Sequence, residues 1–261
     1  MPNPPDVLAA MLRADPARPR VTFYEDTDGP TRGERIELSA KVLANWVNKA
    51  ANALQDEYDV APGSRVRLAL PPHWRSLYWA LAVWSVGGTV VADRSPAEQE
   101  SAAPESAGPV SGAQVSGAQV HDPAADLVVT DDPALAAGSP PAVLVTLAAL
   151  ARQAPVPTGG AMDEARELST HGDQFVAWEE PAEGDVALEV DGAGTPYGGV
   201  VADLGWPRGT RAHLRGTDLA TVLTRALAAW AADGSVVLSR GDLPAEDAQR
   251  REAVEGVTLV P

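Results

Sequence analysis

The sequence predicts an α/β fold with a mostly parallel sheet flanked by helices. Two observations carry this expectation. Strand-like alternating segments and segments with apolar residues at helical spacing take turns along the chain. Arg65–Leu70, Trp74–Val86 and Thr89–Ala92 then read as strand, helix and strand, the order of a right-handed βαβ crossover on a parallel sheet.

Val21–Glu25 (V-T-F-Y-E) is the first expected strand, Asp26–Gly33 a turn, and Arg35–Leu38 its hairpin partner. Ser39 suits a helix N-cap, because its hydroxyl can accept from the free N–H groups of the first turn. Behind it Val42, Leu43, Trp46, Val47, Ala50, Ala51 and Leu54 form a helical stripe that should end near Tyr58. Pro62-Gly63 makes a turn before Arg65–Leu70. Pro71-Pro72 breaks that strand, and Leu77, Ala80, Leu81 and Trp84 line one face of the helix that follows. Gly87-Gly88 stops the helix before Thr89–Ala92.

Arg94–Ala125 lacks aromatic residues and contains the tandem repeat S-G-A-Q-V-S-G-A-Q-V at Ser111–Val120. It reads as a flexible insertion or linker within a single domain over residues 1–261. Strands are expected again at Leu127–Thr130 and Ala142–Thr146, with helices at Leu147–Gln153 and Met162–Thr170. Asp185–Val190 is a strand leading into a glycine-rich loop. A well-patterned helix at Thr217–Ala232, a strand at Ser235–Ser239, a charged helix at Pro244–Val254 and a last short strand at Val257–Val260 complete the reading.

Composition narrows the function. With 20 basic and 36 acidic residues the net charge is −16, which disfavours nucleic acid and anionic membrane surfaces as partners. There is no cysteine, so disulfides, thiolate nucleophiles and cysteine-based zinc sites are excluded. The start M-P-N-P-P-D-V-L has no basic and apolar leader pattern, and the longest apolar run, Ala142–Ala151, is about half of the ~20 residues that cross a bilayer. A cytoplasmic location is expected.

Several stretches, taken in order, resemble the N-terminal half of the AMP-binding, adenylate-forming superfamily. They are R-V-T-F-Y through I-E-L-S-A-K-V-L-A-N-W-V-N-K-A-A-N-A-L, V-A-P-G-S-R-V-R-L-A-L-P-P-H-W, L-A-V-W-S-V-G-G-T-V-V-A-D, E-E-P-A-E-G-D-V-A-L-E-V, A-L-A-A-W-A-A-D-G-S-V-V-L and E-G-V-T-L-V-P. The chain also resembles a small group of actinobacterial proteins of unassigned function, distantly related to those enzymes. The resemblance implies the sheet of that superfamily's N-terminal subdomain and a phosphate loop near T-S-G-T-T-G-x-P-K-G-V.

Residues Val190–Val200 read V-D-G-A-G-T-P-Y-G-G-V at that place. The candidate ligand-binding residues are therefore Asp191, Gly192, Gly194, Thr195, Gly198 and Gly199, a degenerate form of the loop. Gly192 and Gly199 match glycines of the motif. Asp191, Ala193 and Gly194 replace hydroxyl residues, and Gly198 stands where lysine is expected. A phosphate cradle needs N–H donors, hydroxyls and a cation. Asp191 would add repulsion on the order of several kcal/mol at an effective dielectric of ~20. The only lysines are Lys41 and Lys49; Arg208, Arg211 and Arg215 are the later cations considered as substitutes.

The superfamily's Tyr-Gly-x-Thr-Glu segment, ribose-binding aspartate and C-terminal catalytic lysine have no counterpart in these residues. No catalytic residue, metal ligand or cofactor is therefore assigned. The expected function is that of a non-catalytic relative acting as a binding or partner protein, self-associating or held to another protein. The alternative is a minimal AMP-dependent synthetase or ligase that binds ATP or AMP with Mg, or an acyl substrate. Among the other residues weighed, His73 is expected in a surface turn, His121 in the insertion and His171 near a helix C-terminus; His213 is given no role. Trp46, Trp79, Trp84 and Trp230 are expected in the core; Trp74, Trp178 and Trp206 fall in or beside loops, where structural packing is the first reading and lining a pocket or interface the second.

Overall fold

The computed structural model describes residues 2–92, 125–139, 141–216 and 218–261. The expected insertion at 94–125 lies outside them, apart from Ala125. Two sheets share one continuous apolar core.

The chain opens with helix α1 (Pro4–Ala14), which the sequence reading did not anticipate. Its signal is local: Asn3 accepts from the Asp6 N–H at 2.9 Å while Asp6 accepts from the Asn3 N–H at 3.2 Å, a capping box with proline behind it. Pro4, Val7, Leu8 and Met11 form its buried stripe. Strands β1 (Pro19–Glu25) and β2 (Arg35–Ser39) are the expected antiparallel hairpin. Ser39 caps α2 (Ala40–Tyr58), its Oγ lying 3.3 Å from the Val42 nitrogen, and Asp59 in the left-handed region ends the helix.

Strand β3 (Arg65–Ala69), helix α3 (Trp74–Ser85) and strand β4 (Thr89–Ala92) form the central crossover, with β3 and β4 parallel. Helix α3 is buried on every side, beyond the single face expected. It lies between the sheets, touching β1 on one side and β3 and β4 on the other. A helix apolar all round fits only such an interior place.

Strand β5 (Leu127–Thr130), helix α4 (Pro133–Gly138), strand β6 (Ala142–Leu144) and strand β7 (Met162–Asp163) follow. No helix forms over Leu147–Gln153. A segment this short needs tertiary burial to be helical, and Leu150 is exposed. The helix expected at Met162–Thr170 is divided. Met162–Asp163 pairs with β6, Asp163 caps the short α5 (Glu164–Glu167), and a 3₁₀ turn covers Leu168–Thr170.

Strands β8 (Val186–Val190) and β9 (Ala193–Pro196), helix α6 (Tyr197–Val200), strand β10 (Arg211–Arg215), helix α7 (Leu219–Ala231), strand β11 (Ser235–Arg240) and helix α8 (Ala245–Glu255) complete the described elements. The strand expected at Val257–Val260 is a single bridge between Ala212 and Leu259.

The larger sheet has the order β7-β6-β5-β3-β4-β8-β9 and is parallel except for β9. The smaller has the order β10-β11-β1-β2, with β2 antiparallel. Among the described residues no helix is long and apolar enough to cross a membrane.

One close approach fixes the end of α7. A β-carbon at Gly234 would stand 2.1 Å from the Thr210 carbonyl oxygen and 2.6 Å from that of Ala229, both backbone. Gly234→Ala is expected to destabilise the protein by about 1–3 kcal/mol in urea unfolding, as overpacking does. Gly184→Ala, where a β-carbon meets nothing within 4 Å, should stay near wild type. Equal stabilities for the two variants would refute the steric argument.

Candidate functional site

The six loop residues form a hairpin and the helical turn after it. Strands β8 and β9 pair Val190 with Ala193 and Glu189 with Gly194, leaving Asp191 and Gly192 as the two turn residues. Both have positive φ, 49° and 78°, as a two-residue type I′ turn requires. Gly194 and Thr195 lie on β9, with Thr195 opposite Leu188. Gly198 and Gly199 lie in α6. The backbone is therefore engaged in strand pairing where a phosphate cradle would present free N–H groups.

Packing beneath the hairpin holds it closed. Tyr197 is buried, and its hydroxyl donates to the Gly88 carbonyl at 2.7 Å. Burial, with Asp185 nearby, pushes that phenol far above its ordinary range. The Gly198 N–H donates to the Glu183 carbonyl at 3.0 Å, and a β-carbon at Gly198 would meet the Glu183 side chain at 2.5 Å. A side chain at this position thus requires Glu183 to move. A β-carbon at Gly194 would stand 3.1 Å from the Val186 side chain, a tight but milder contact.

Of the candidate substitute arginines, Arg211 and Arg215 lie on β10 of the other sheet and Arg208 on the loop before it. Arg211 is held by Glu255 at 2.5 Å and Thr22 at 3.0 Å. Arg208 bonds Asp233 at 3.3 Å, and Arg215 lies 3.9 Å from Glu252. None is paired with a residue of the hairpin in these contacts.

A second group, largely missed from sequence, gathers where the carboxyl ends of parallel strands meet. That is the side on which open α/β sheets bind ligands. Glu25 at the end of β1 accepts from Arg240 at the end of β11, at 2.8 Å. Asp131 follows β5; its carboxyl is pushed up by burial, against the pull of Arg240. A cavity of about 150 Å³ lies beside Asp131, lined also by Leu144, Thr146 and Pro155. The Thr146 hydroxyl is buried there with no hydrogen-bond partner among the described residues. The one sequence signal for Glu25, Arg240 and Asp131 is their place at or just after a strand.

His73 belongs to this region and corrects the expected surface turn. It is 1% exposed, packs edge-on against Phe23 at 4.3 Å, and caps α3 by accepting from the Arg75 N–H at 3.2 Å. Burial and then Arg75 and Arg240 lower its pKa to about 2. Trp74, expected beside a loop, is buried as well. His171 lies 3.1 Å from Glu57, and His121 is outside the described residues.

His213 sits in a hydrogen-bonded relay. Its Nδ1 is 2.8 Å from Glu252 and its Nε2 2.9 Å from Ser239 Oγ, which also accepts from Arg251 at 2.8 Å. A neutral imidazole satisfies both contacts, with Nδ1–H donating to Glu252 and Nε2 accepting from Ser239. Burial keeps the His213 pKa low, against the pull of Glu252. The order matches that of hydrolytic triads, but Ser239 is buried on a central strand under α8. Only Ala248 of α8 is buried, so the relay fastens an otherwise polar helix to the sheet.

Comparison with solved structures places this geometry. A Brucella canis acyl-CoA synthetase superposes with a TM-score of 0.68 at 16% identity, over 99% of this chain and 47% of that one. This is the fold of the N-terminal half of an adenylate-forming enzyme. The N-terminal subdomain of Klebsiella oxytoca NpsA, in complex with 3-hydroxybenzoyl-AMSN, gives 0.62 at 14% identity, over 99% and 59% of the two chains. The N-terminal domain of FACL13 from Mycobacterium tuberculosis gives 0.62 at 15%, over 100% and 62%. The chain thus spans roughly half to three-fifths of these proteins. Identities this low establish the adenylate-forming fold alone.

No family model matches the chain. A Mycobacterium tuberculosis protein, whose name is a family designation without a stated activity, is 53% identical over 70 residues. That match covers 27% of each chain.

Proposed function

We propose that this protein is a non-catalytic relative of the adenylate-forming enzymes and works by binding, as a partner protein or by self-association. The observation that carries the reading is the hairpin. At the place aligned with the phosphate loop, the main chain closes in a two-residue turn carrying Asp191, and Gly198 replaces the lysine. Stabilising a developing phosphoryl charge calls for donors and cations aimed at one point. A carboxylate on a closed turn opposes that role. The proposed setting is cytoplasmic, without nucleic acid or membrane as partner.

One observation favours the alternative of a minimal AMP-dependent ligase-like enzyme. The NpsA N-terminal subdomain is seen with 3-hydroxybenzoyl-AMSN, so the corresponding half of one such protein holds a ligand of that kind. Under that alternative Asp191, Gly192, Gly194, Thr195, Gly198 and Gly199 border the nucleotide, and the cofactors are ATP or AMP with Mg.

Thermal unfolding with and without millimolar Mg·ATP, AMP and 3-hydroxybenzoyl-AMSN separates the readings. We expect no shift, together with a concentration-dependent oligomer in sedimentation or a captured protein partner. Stabilisation rising with ligand as RT ln(1 + [L]/Kd) would reject the proposal in favour of the alternative. The Asp191→Ser, Gly198→Lys double variant tests the alignment: a gain in ATP affinity is expected, and unchanged affinity would argue against it.

A further inference from the structure

A larger cavity, about 460 Å³, opens at the other end of the smaller sheet, between α1, α7 and the loop carrying Trp206. It adjoins the starts of β1 and β11, since Asp233 on its wall precedes β11 and Arg20 of β1 is bonded to Asp233 at 2.9 Å. The hairpin lies on the other sheet, and the strand-end crevice lies at the opposite ends of β1 and β11. The cavity is therefore separate from both.

Its wall is mixed: Trp206 and small alanines face it beside Arg208 and Asp233, with the nearly covered Met11 and Trp230 behind them. Its charged lining is the pair Arg208 and Asp233. Arg18, Arg20 and Arg208 converge on the single carboxylate of Asp233, at 3.7, 2.9 and 3.3 Å. The three guanidinium groups are balanced by Asp233, by Asp15 after α1 and by the partial negative charges at the C-terminal ends of α1 and α7, so the exposed Arg208 is the group an incoming anion would meet.

Arg20 and Arg208 differ in what they can offer. Arg20 is fully buried and donates to both Gly234 and Asp233. Arg208 is 85% exposed, and among the described residues its Nη2 bonds Asp233. Its other guanidinium donors remain for an incoming anion. An aromatic wall accepts a flat apolar body, while an arginine at the rim pairs with a carboxylate by charge-assisted hydrogen bonds. The volume falls in the range of small-molecule sites.

We infer that this cavity binds a small apolar carboxylate, its hydrocarbon part against Trp206 and its carboxylate on Arg208. The inference does not depend on the proposed function, because it involves neither the hairpin nor a nucleotide.

The test titrates 1-naphthoate, and separately the neutral 1-naphthalenemethanol, into the full chain. The indole N–H resonances of Trp206 and Trp230 are followed, assigned through Trp→Phe variants. A saturable shift of Trp206 is expected, with 1-naphthoate binding about tenfold more tightly than the alcohol. Arg208→Ala should abolish that preference. Ala14→Leu, which fills the cavity from an exposed position on α1, should weaken both probes. Unchanged melting temperatures would show that both variants fold. Equal affinity for the two probes would overturn the anion recognition. Shifts that do not saturate, or that survive Ala14→Leu in a folded variant, would overturn the site.

Discussion

Replacing Glu164 with alanine is expected to lower the unfolding free energy by about 3–5 kcal/mol, the cost of stranding one member of a buried ion pair. Glu164 begins α5, and its carboxylate accepts from Arg75 Nη1 at 2.6 Å and from the Tyr78 hydroxyl. The Arg75 and Glu164 side chains are 4% and 0% exposed. Arg75 also donates to the Ala148 carbonyl at 3.2 Å, so this one cluster ties α3 to the start of α5 and to the loop after β6. Without the carboxylate, a buried guanidinium loses its counter-charge and a buried phenol its acceptor. The Arg75→Met, Glu164→Leu double variant should lose much less than the sum of the single losses, because apolar pairs can replace buried ion pairs. Urea unfolding followed by tryptophan fluorescence reads both. A loss below about 1 kcal/mol for Glu164→Ala would show that water reaches the cluster and screens it.

Much of the architecture was legible because short-range signals agreed with long-range packing. Ser39 before a helical stripe, Pro62-Gly63 before alternation, and Gly87-Gly88 after α3 each mark an element that forms at its expected place. The misses have physical causes. Helix α1 is announced by the Asn3–Asp6 capping pair, a short local signal with no strand or turn among the described residues before it to frame it. In Leu147–Gln153 Leu147 packs against the core while Leu150 faces solvent, so its apolar residues share no buried helical face and it stays a set of turns. The complete burial of α3 follows from a second sheet on its other side, a fact that one helix's periodicity does not contain.

The candidate site was legible in a different way. Substitutions in the loop were readable one residue at a time, yet its closure depends on Asp191 and Gly192 both adopting positive φ between paired strands. Asp-Gly before a strand is itself a hairpin signal, and it was hidden by reading the segment as a variant of a phosphate loop. The meeting of Glu25 with Arg240, 215 positions apart, and of His213 with Ser239 and Glu252 comes from strand order. Spacing along one chain does not encode such pairs. His73 shows the same limit: Pro-Pro-His-Trp looks like a surface turn until the strand carrying Phe23 covers it.

That covered histidine gives the chain an acid sensitivity. In the folded protein His73 titrates near 2, against 6.5 for an ordinary histidine. Between those values the unfolded chain binds a proton that the folded one refuses, so stability falls as pH drops below about 6.5. Each pH unit in that window is worth about 1.4 kcal/mol, so roughly 3 kcal/mol should be gone by pH 4.5. His213 acts in the same direction, because its pKa is also lowered. Asp131 and Glu164, whose carboxyl pKa values are raised, act the opposite way and should reduce the net slope where they titrate. Glu255 and Asp233, held low by their arginine and tyrosine partners, extend the loss into the carboxylate range. His73→Asn should separate these contributions, since asparagine can keep the N-cap at the start of α3 without titrating. Urea midpoints between pH 7.5 and 4.5 should fall steeply in wild type and much less in the variant. Parallel slopes would mean that His73 is protonated in the folded protein, with water reaching the junction between the two sheets.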